Sequence, residues 1–228
     1  MAWRRLLFPT LAMLPMLGIL LGLGTWQWRR MEWKTALLAR LAASEAAPPV
    51  ALGVAPAPWT HVVASGRFDH GREATLGVEL RGTTLGTRLI VPLLREDGAP
   101  VLVDRGWVPL ERAAPVTRPE GAQRVVGFVR PGERAGWFAA TDDPATRRFY
   151  TLDPQVIGAA LGLPAVAPDV LVALGPGVAL GSGETLPIPA RHLPRPANNH
   201  LGYVITWYGL ACALLGVFAV WAWRRLRS

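Results

Sequence analysis

Cysteine is almost absent. Cys212 is the only one, which excludes an intrachain disulfide, a CxxC redox pair and a CxxCH haem attachment. Lysine is as scarce: Lys34 stands alone among 24 basic residues, so the net charge of +8 reflects scattered arginine. No ribbon of basic and aromatic residues runs along the chain, and no nucleic-acid partner is expected. Methionine is confined to Met1, Met13, Met16 and Met31, in or beside the N-terminal apolar run, which leaves no soft-ligand cluster for copper. Catalytic signatures are missing too. Ser182 sits in GSG without a GxSxG frame, and His61, His70 and His192 have neither HExxH nor His/Cys ligand spacing. No glycine-rich phosphate loop follows a strand. Asp69 and His70 are adjacent, and on a strand adjacent side chains point to opposite faces, so they read as a surface pair. The chain is not expected to be an enzyme.

Charge is also absent from two long runs. None occurs from Leu6 to Thr25 or from Leu201 to Trp223, and every acidic residue lies between them. Each run is about 20 residues, enough at ~1.5 Å per residue to cross a ~30 Å hydrocarbon layer. Pro9 and Pro15 interrupt the first, where a kink is expected. The exit GLGTWQWRR lacks a small-x-small cleavage site and the apolar core is longer than a signal peptide's, which points to a retained anchor. Arg4 and Arg5 precede the first run, and Arg224, Arg225 and Arg227 follow the second, so both termini are expected to be cytoplasmic. Arg29, Arg30 and Lys34 oppose that assignment, but a long loop translocates largely regardless of its charge.

The expected organisation is a transmembrane helix at 6–28, a juxtamembrane helix and Pro/Ala linker at 29–58, an extracytoplasmic β-rich domain at 59–196 and a second transmembrane helix at 200–223. Within the domain, THVVASGRF, EATLGVEL, GTRLIVPLL, PVLVDRGWVPL, QRVVGFVR and DVLVAL are short β-branched runs parted by Gly, Pro and Asp. They predict an antiparallel sandwich or barrel. One short helix, DPQVIGAALG, is expected to start with Asp153 as N-cap and Pro154 in its first turn.

Small residues recur at Gly202, Thr206, Gly209, Ala213 and Gly216 in the second span, and the first carries a matching stripe at Pro15, Gly18, Gly22 and Thr25. Such stripes allow close backbone approach in lipid, and they predict that the spans pack through them. On the second helical wheel, His200, Tyr203, Trp207, Leu210 and Leu214 form a separate face. His200 is open to three readings: an interfacial histidine beside an Asn198 or Asn199 N-cap, an axial ligand at a planar-cofactor site, or a partner contact.

Three motifs then point to one family. GTWQWRRMEWK (Gly24–Lys34), VLVDRGWVP (Val101–Pro109) and NNHLGYVITWYGLA (Asn198–Ala211) occur in order over nearly the whole chain. Together they resemble the Surfeit locus cytochrome oxidase assembly factors, the Surf-one family. Asp104 departs from the asparagine expected before RGW. The resemblance implies an inner-membrane factor, in a bacterial plasma membrane, that assists haem insertion into subunit I of haem-copper cytochrome c oxidase. It implies haem a as the bound group, with His200 as axial ligand of the iron and Tyr203 and Trp207 against the porphyrin. Arg29 and Arg30 lie at a depth suited to haem propionates, although snorkelling accounts for them equally. Haem A synthase is a second candidate partner beside subunit I and membrane lipid. The rival reading is a haem-free scaffold that holds oxidase subunits, with Arg105, Gly106 and Trp107 as a partner contact or a packing unit. An enzyme acting on haem is a weaker third.

Overall fold

The computed structural model describes residues 4–111, 115–175 and 185–227; the GSG motif at Ser182 lies outside them. Helix α1 runs unbroken over Arg4–Ala46, through Pro9 and Pro15, and helix α3 covers His200–Arg227. Both are long and apolar enough to cross a membrane. At 43 residues, α1 is about 65 Å long, roughly twice the hydrocarbon thickness, so the segment TALLARLAASEAA extends the span as helix. The chain forms two compact units: Met1–Arg40 with Arg195–Ser228, and Leu41–Pro194.

The second unit is a β domain. Its strands are β1 (Val50–Ala51), β2 (His61–Phe68), β3 (Ala74–Arg81), β4 (Thr84–Leu94), β5 (Val101–Pro109), β6 (Ala122–Pro131), β7 (Arg148–Phe149) and β8 (Asp169–Ala173). Strand order is β1-β2-β6-β8-β5-β4-β3-β7, and a further β2–β4 pairing closes five of them into a barrel. All six expected runs are strands. The barrel is mixed rather than wholly antiparallel, because β8 lies antiparallel to β6 but parallel to β5. The physical reason is the long return after β6: it carries helix α2 (Pro154–Ala160) and brings β8 back beside β5 in the same direction.

Burial on both faces explains why the strands read as apolar runs more than as clean alternation. Val101 and Val103 pack with Val62, Leu93 and Leu171 in one cluster, while Leu102 between them packs with Ile90, Ile157 and Val170 in another. Helix α2 has the expected start: Asp153 accepts from the amides of Gln155 and Val156, and Pro154 occupies the first turn. His70 departs from the surface reading. It opens a 3-10 turn (His70–Arg72) instead of lying in a strand, stacks 5.6 Å from Phe68, and its Nε2 is 3.1 Å from the Pro119 carbonyl.

Candidate functional site

Within the helical unit, buried and half-buried positions fall on a seven-residue repeat. On α1 they are Met13, Leu17, Leu20, Gly24, Gln27 and Met31; on α3 they are His200, Val204, Trp207, Ala211, Leu214 and Phe218. Alternating steps of four and three are the geometry of left-handed antiparallel packing. The predicted small-residue seam is therefore corrected. A Cβ added to Gly18, Gly22, Gly202, Gly209 or Gly216 would meet nothing within 4 Å. The glycine that does seat a neighbour is Gly24, where a Cβ would lie 2.9 Å from the Tyr208 ring. Next to it, the Thr25 hydroxyl is 3.1 Å from the Tyr208 hydroxyl. On the α3 wheel the small stripe lies roughly 150° from Val204, at ~100° per residue, so larger side chains take the interface.

That register brings His200 onto Gln27. Nδ1 of the imidazole is 2.7 Å from the Gln27 carboxamide Oε1. With the carboxamide oxygen facing it, Nδ1 donates in the Nδ1–H tautomer, and that tautomer leaves the Nε2 lone pair for a metal. Asn198 does not serve as the expected cap: its Nδ2 donates to the Thr35 hydroxyl at 3.1 Å and the Met31 carbonyl at 3.4 Å. Its Oδ1 is buried without a partner among the described residues, and so is Nε1 of Trp207. His200 and the unsatisfied Asn198 Oδ1 thus lie at the end of the hairpin, with Trp207 Nε1 about 10 Å further along α3, and unsatisfied polar atoms on this face fit a site for an additional group.

The expected haem residues separate. His200 and Trp207 share the packing face, whereas Tyr203 is 56% exposed beside them. On α1, Arg30 lies about 60° round from Gln27 and stacks its guanidinium 4.2 Å from the Trp33 ring centre. Arg29, about 160° round from Gln27, points away from that face. Among the described residues, no three His, Cys, Asp or Glu converge on a metal position. Gln27 is not marked by the sequence, because a glutamine inside WQW carries no signal until the partner helix is placed.

In the β domain the RGW segment forms a bulge. Register steps from Ile90–Asp104 to Leu89–Gly106, leaving Arg105 as the extra residue. Gly106 takes φ +129, and any Cβ there would strike the Ile188 carbonyl, so only glycine fits. Trp107 is 2% exposed and donates from Nε1 to the Glu79 carbonyl at 3.1 Å. Of the two readings of RGW, the burial of Trp107 fits the packing unit. Asp104, also 2% exposed, accepts from Arg88 Nε at 2.8 Å and from the Gly106 amide at 3.0 Å. Burial opposes the Arg88 charge, but Asp104 and then Glu79 outweigh it and hold the guanidinium above its ordinary value. Trp137 and Phe138, which no motif marks, stand fully exposed on the loop after β6.

The SURF1 family profile matches residues 14–212. The chain belongs to the SURF1 family. It is 29% identical over 217 residues to Surfeit locus protein 1 of Xenopus tropicalis, covering 84% of this chain and 68% of the relative. The SURF1-like protein of Monosiga brevicollis is 30% identical over 237 residues, or 95% of this chain and 87% of that one. The cytochrome oxidase assembly protein SHY1 of Saccharomyces cerevisiae is 33% identical over 150 residues, 58% of this chain and 38% of the yeast protein. The SURF1 match runs from Leu14 in α1 through the barrel to Cys212 in α3, so Gln27, His200 and the RGW bulge fall inside it.

Proposed function

We propose that this chain is a membrane assembly factor for haem-copper cytochrome c oxidase, and that it binds haem a through His200 and passes it to subunit I. Family membership and the yeast relative's name support the assembly role. The observation that carries the haem reading is the His200–Gln27 contact, whose Nδ1–H tautomer would free Nε2 to bind iron. Haem supplies the metal; the chain's own residues orient and release it. Gln27 fixes the ring, Trp207 and Tyr203 offer aromatic surface, and Arg30 is the better placed of the two arginines for a propionate. A single protein ligand suits a carrier that must let go. The setting is a bacterial inner membrane, with the β domain extracytoplasmic and both termini in the cytoplasm.

The test is the absorption spectrum of detergent-purified protein from cells that make haem a. Wild type is expected to carry haem, His200→Ala to lose it with the fold intact, and Gln27→Leu to bind about 10- to 100-fold more weakly, as removal of an orienting partner does. Equal haem content in wild type and His200→Ala would overturn the assignment. The haem-free scaffold is favoured by one observation, the exposed Trp137–Phe138 pair, since tryptophan dominates protein–protein hot spots. On that reading Trp137→Ala with Phe138→Ala would abolish co-purification of oxidase subunits while His200→Ala would not.

A further inference from the structure

Two cavities flank strand β5, and adjacent residues of the bulge line them. The larger, about 620 Å³, is lined by Asp104, Arg88, Glu79, Arg130 and Glu133. Its charges satisfy one another, through Arg88–Asp104 and through Arg130–Glu133 at 2.7 Å. The smaller, about 370 Å³, is different. Phe68, Val125, Leu186 and Ile188 provide apolar wall, and Arg105, Arg124 and Gln123 provide donors. Among the described residues no aspartate or glutamate lines it.

Arg105 is the feature in need of a partner. The bulge turns it onto the Phe68 ring, 5.0 Å from the centroid, and its Nη1 is buried with no acceptor among the described residues. Glu73 acts on it only from a distance. Both Glu73 oxygens are taken by Arg118, at 2.9 Å each, and one is also 3.4 Å from His70. Burial pulls the Arg105 guanidinium below its ordinary value, and Glu73 offsets that only in part. A buried guanidinium N–H without an acceptor is costly to keep, and a second arginine on the same wall adds positive potential rather than relieving it. The volume lies in the range of small-ligand pockets.

We infer that the cavity beside the Arg105 bulge binds a carboxylate carried on a compact apolar body. Arg105 and Arg124 receive the carboxylate, a geometry that planar guanidinium donors fit, and the Phe68 side of the pocket receives the body. The site is separate from the His200 hairpin and does not depend on haem.

The experiment is a ¹⁹F NMR titration of the full-length protein in detergent with 4-(trifluoromethyl)benzoate, beside the neutral 4-(trifluoromethyl)benzamide. The carboxylate is expected to bind at least tenfold more tightly than the amide, and Arg105→Gln to erase that preference. Should Arg105→Gln fail to fold, Arg124→Glu decides: position 124 is exposed, and an added carboxylate there is expected to weaken benzoate binding at least tenfold. A tetrapeptide ending in phenylalanine, free acid against C-terminal amide, separates the sources. Preference for the free-acid peptide over benzoate assigns a chain terminus, and the reverse assigns a small organic acid. Benzoate and free-acid peptide binding no better than their amides, or a variant binding as the wild type does, overturns the inference.

Discussion

Asp104 stands where asparagine was expected before RGW, and its buried carboxylate has two jobs: it neutralises Arg88 and accepts from the Gly106 amide. Removing both by Asp104→Ala leaves Arg88 only the more distant Glu79, 3.6 Å away, and is expected to cost about 3 kcal/mol. Asp104→Asn keeps an acceptor for the amide and is expected to cost less, about 1–3 kcal/mol. Chemical unfolding of the two variants checks this, and equal losses would show that the charge is irrelevant. Glu73 sets an acid limit. Burial raises its pKa, but Arg118 and then His70 outweigh burial and hold the carboxyl below its ordinary 4.5. A depressed folded-state value means the contribution is present above pH 4.5 and disappears as pH falls through the lowered value. Melting temperature between pH 6 and pH 3 should therefore drop more steeply in wild type than in Glu73→Gln; parallel curves would exclude the linkage.

Elements follow the same logic at longer range. The α1–α3 hairpin is held where a side chain meets a seat, at Gly24 under Tyr208, and not along the small-residue stripes. Gly24→Leu is expected to lower the melting temperature in detergent by several degrees, as overpacking of about 1–3 kcal/mol would. Gly22→Leu and Gly209→Leu are expected to be neutral. Destabilisation by the latter pair with tolerance at Gly24 would restore the original seam. Strand and α2 positions were legible because their signals are local: β-branched runs between turn residues, and an Asp-Pro start. The hairpin face was not legible, because two stripes on one helix compete and only the partner helix chooses between them.

At the scale of the molecule, the proposed topology has two spans returning the chain to its starting side, with the β domain opposite both termini. In a Cys212→Ser background, Val54→Cys, 96% exposed in the β domain, is expected to react with an impermeant maleimide in intact spheroplasts. Leu226→Cys should react only after permeabilisation, and the reverse pattern would invert the orientation. What the sequence determined by itself was the division of the chain and the identity of its elements. Uncharged runs of spanning length and short β-branched apolar runs between turn residues are properties of neighbouring residues, so they survive without a fold. The same holds for the three ordered motifs, which placed His200 before any partner was known. Tertiary structure alone decided the rest. Gln27 reaches His200 across 173 positions of chain, β8 turns parallel to β5, and the RGW bulge sends Trp107 into the core while leaving Arg105 unpaired. Each of these depends on which distant segment arrives alongside, and loop closure and side-chain packing settle that jointly, outside the reach of any local pattern.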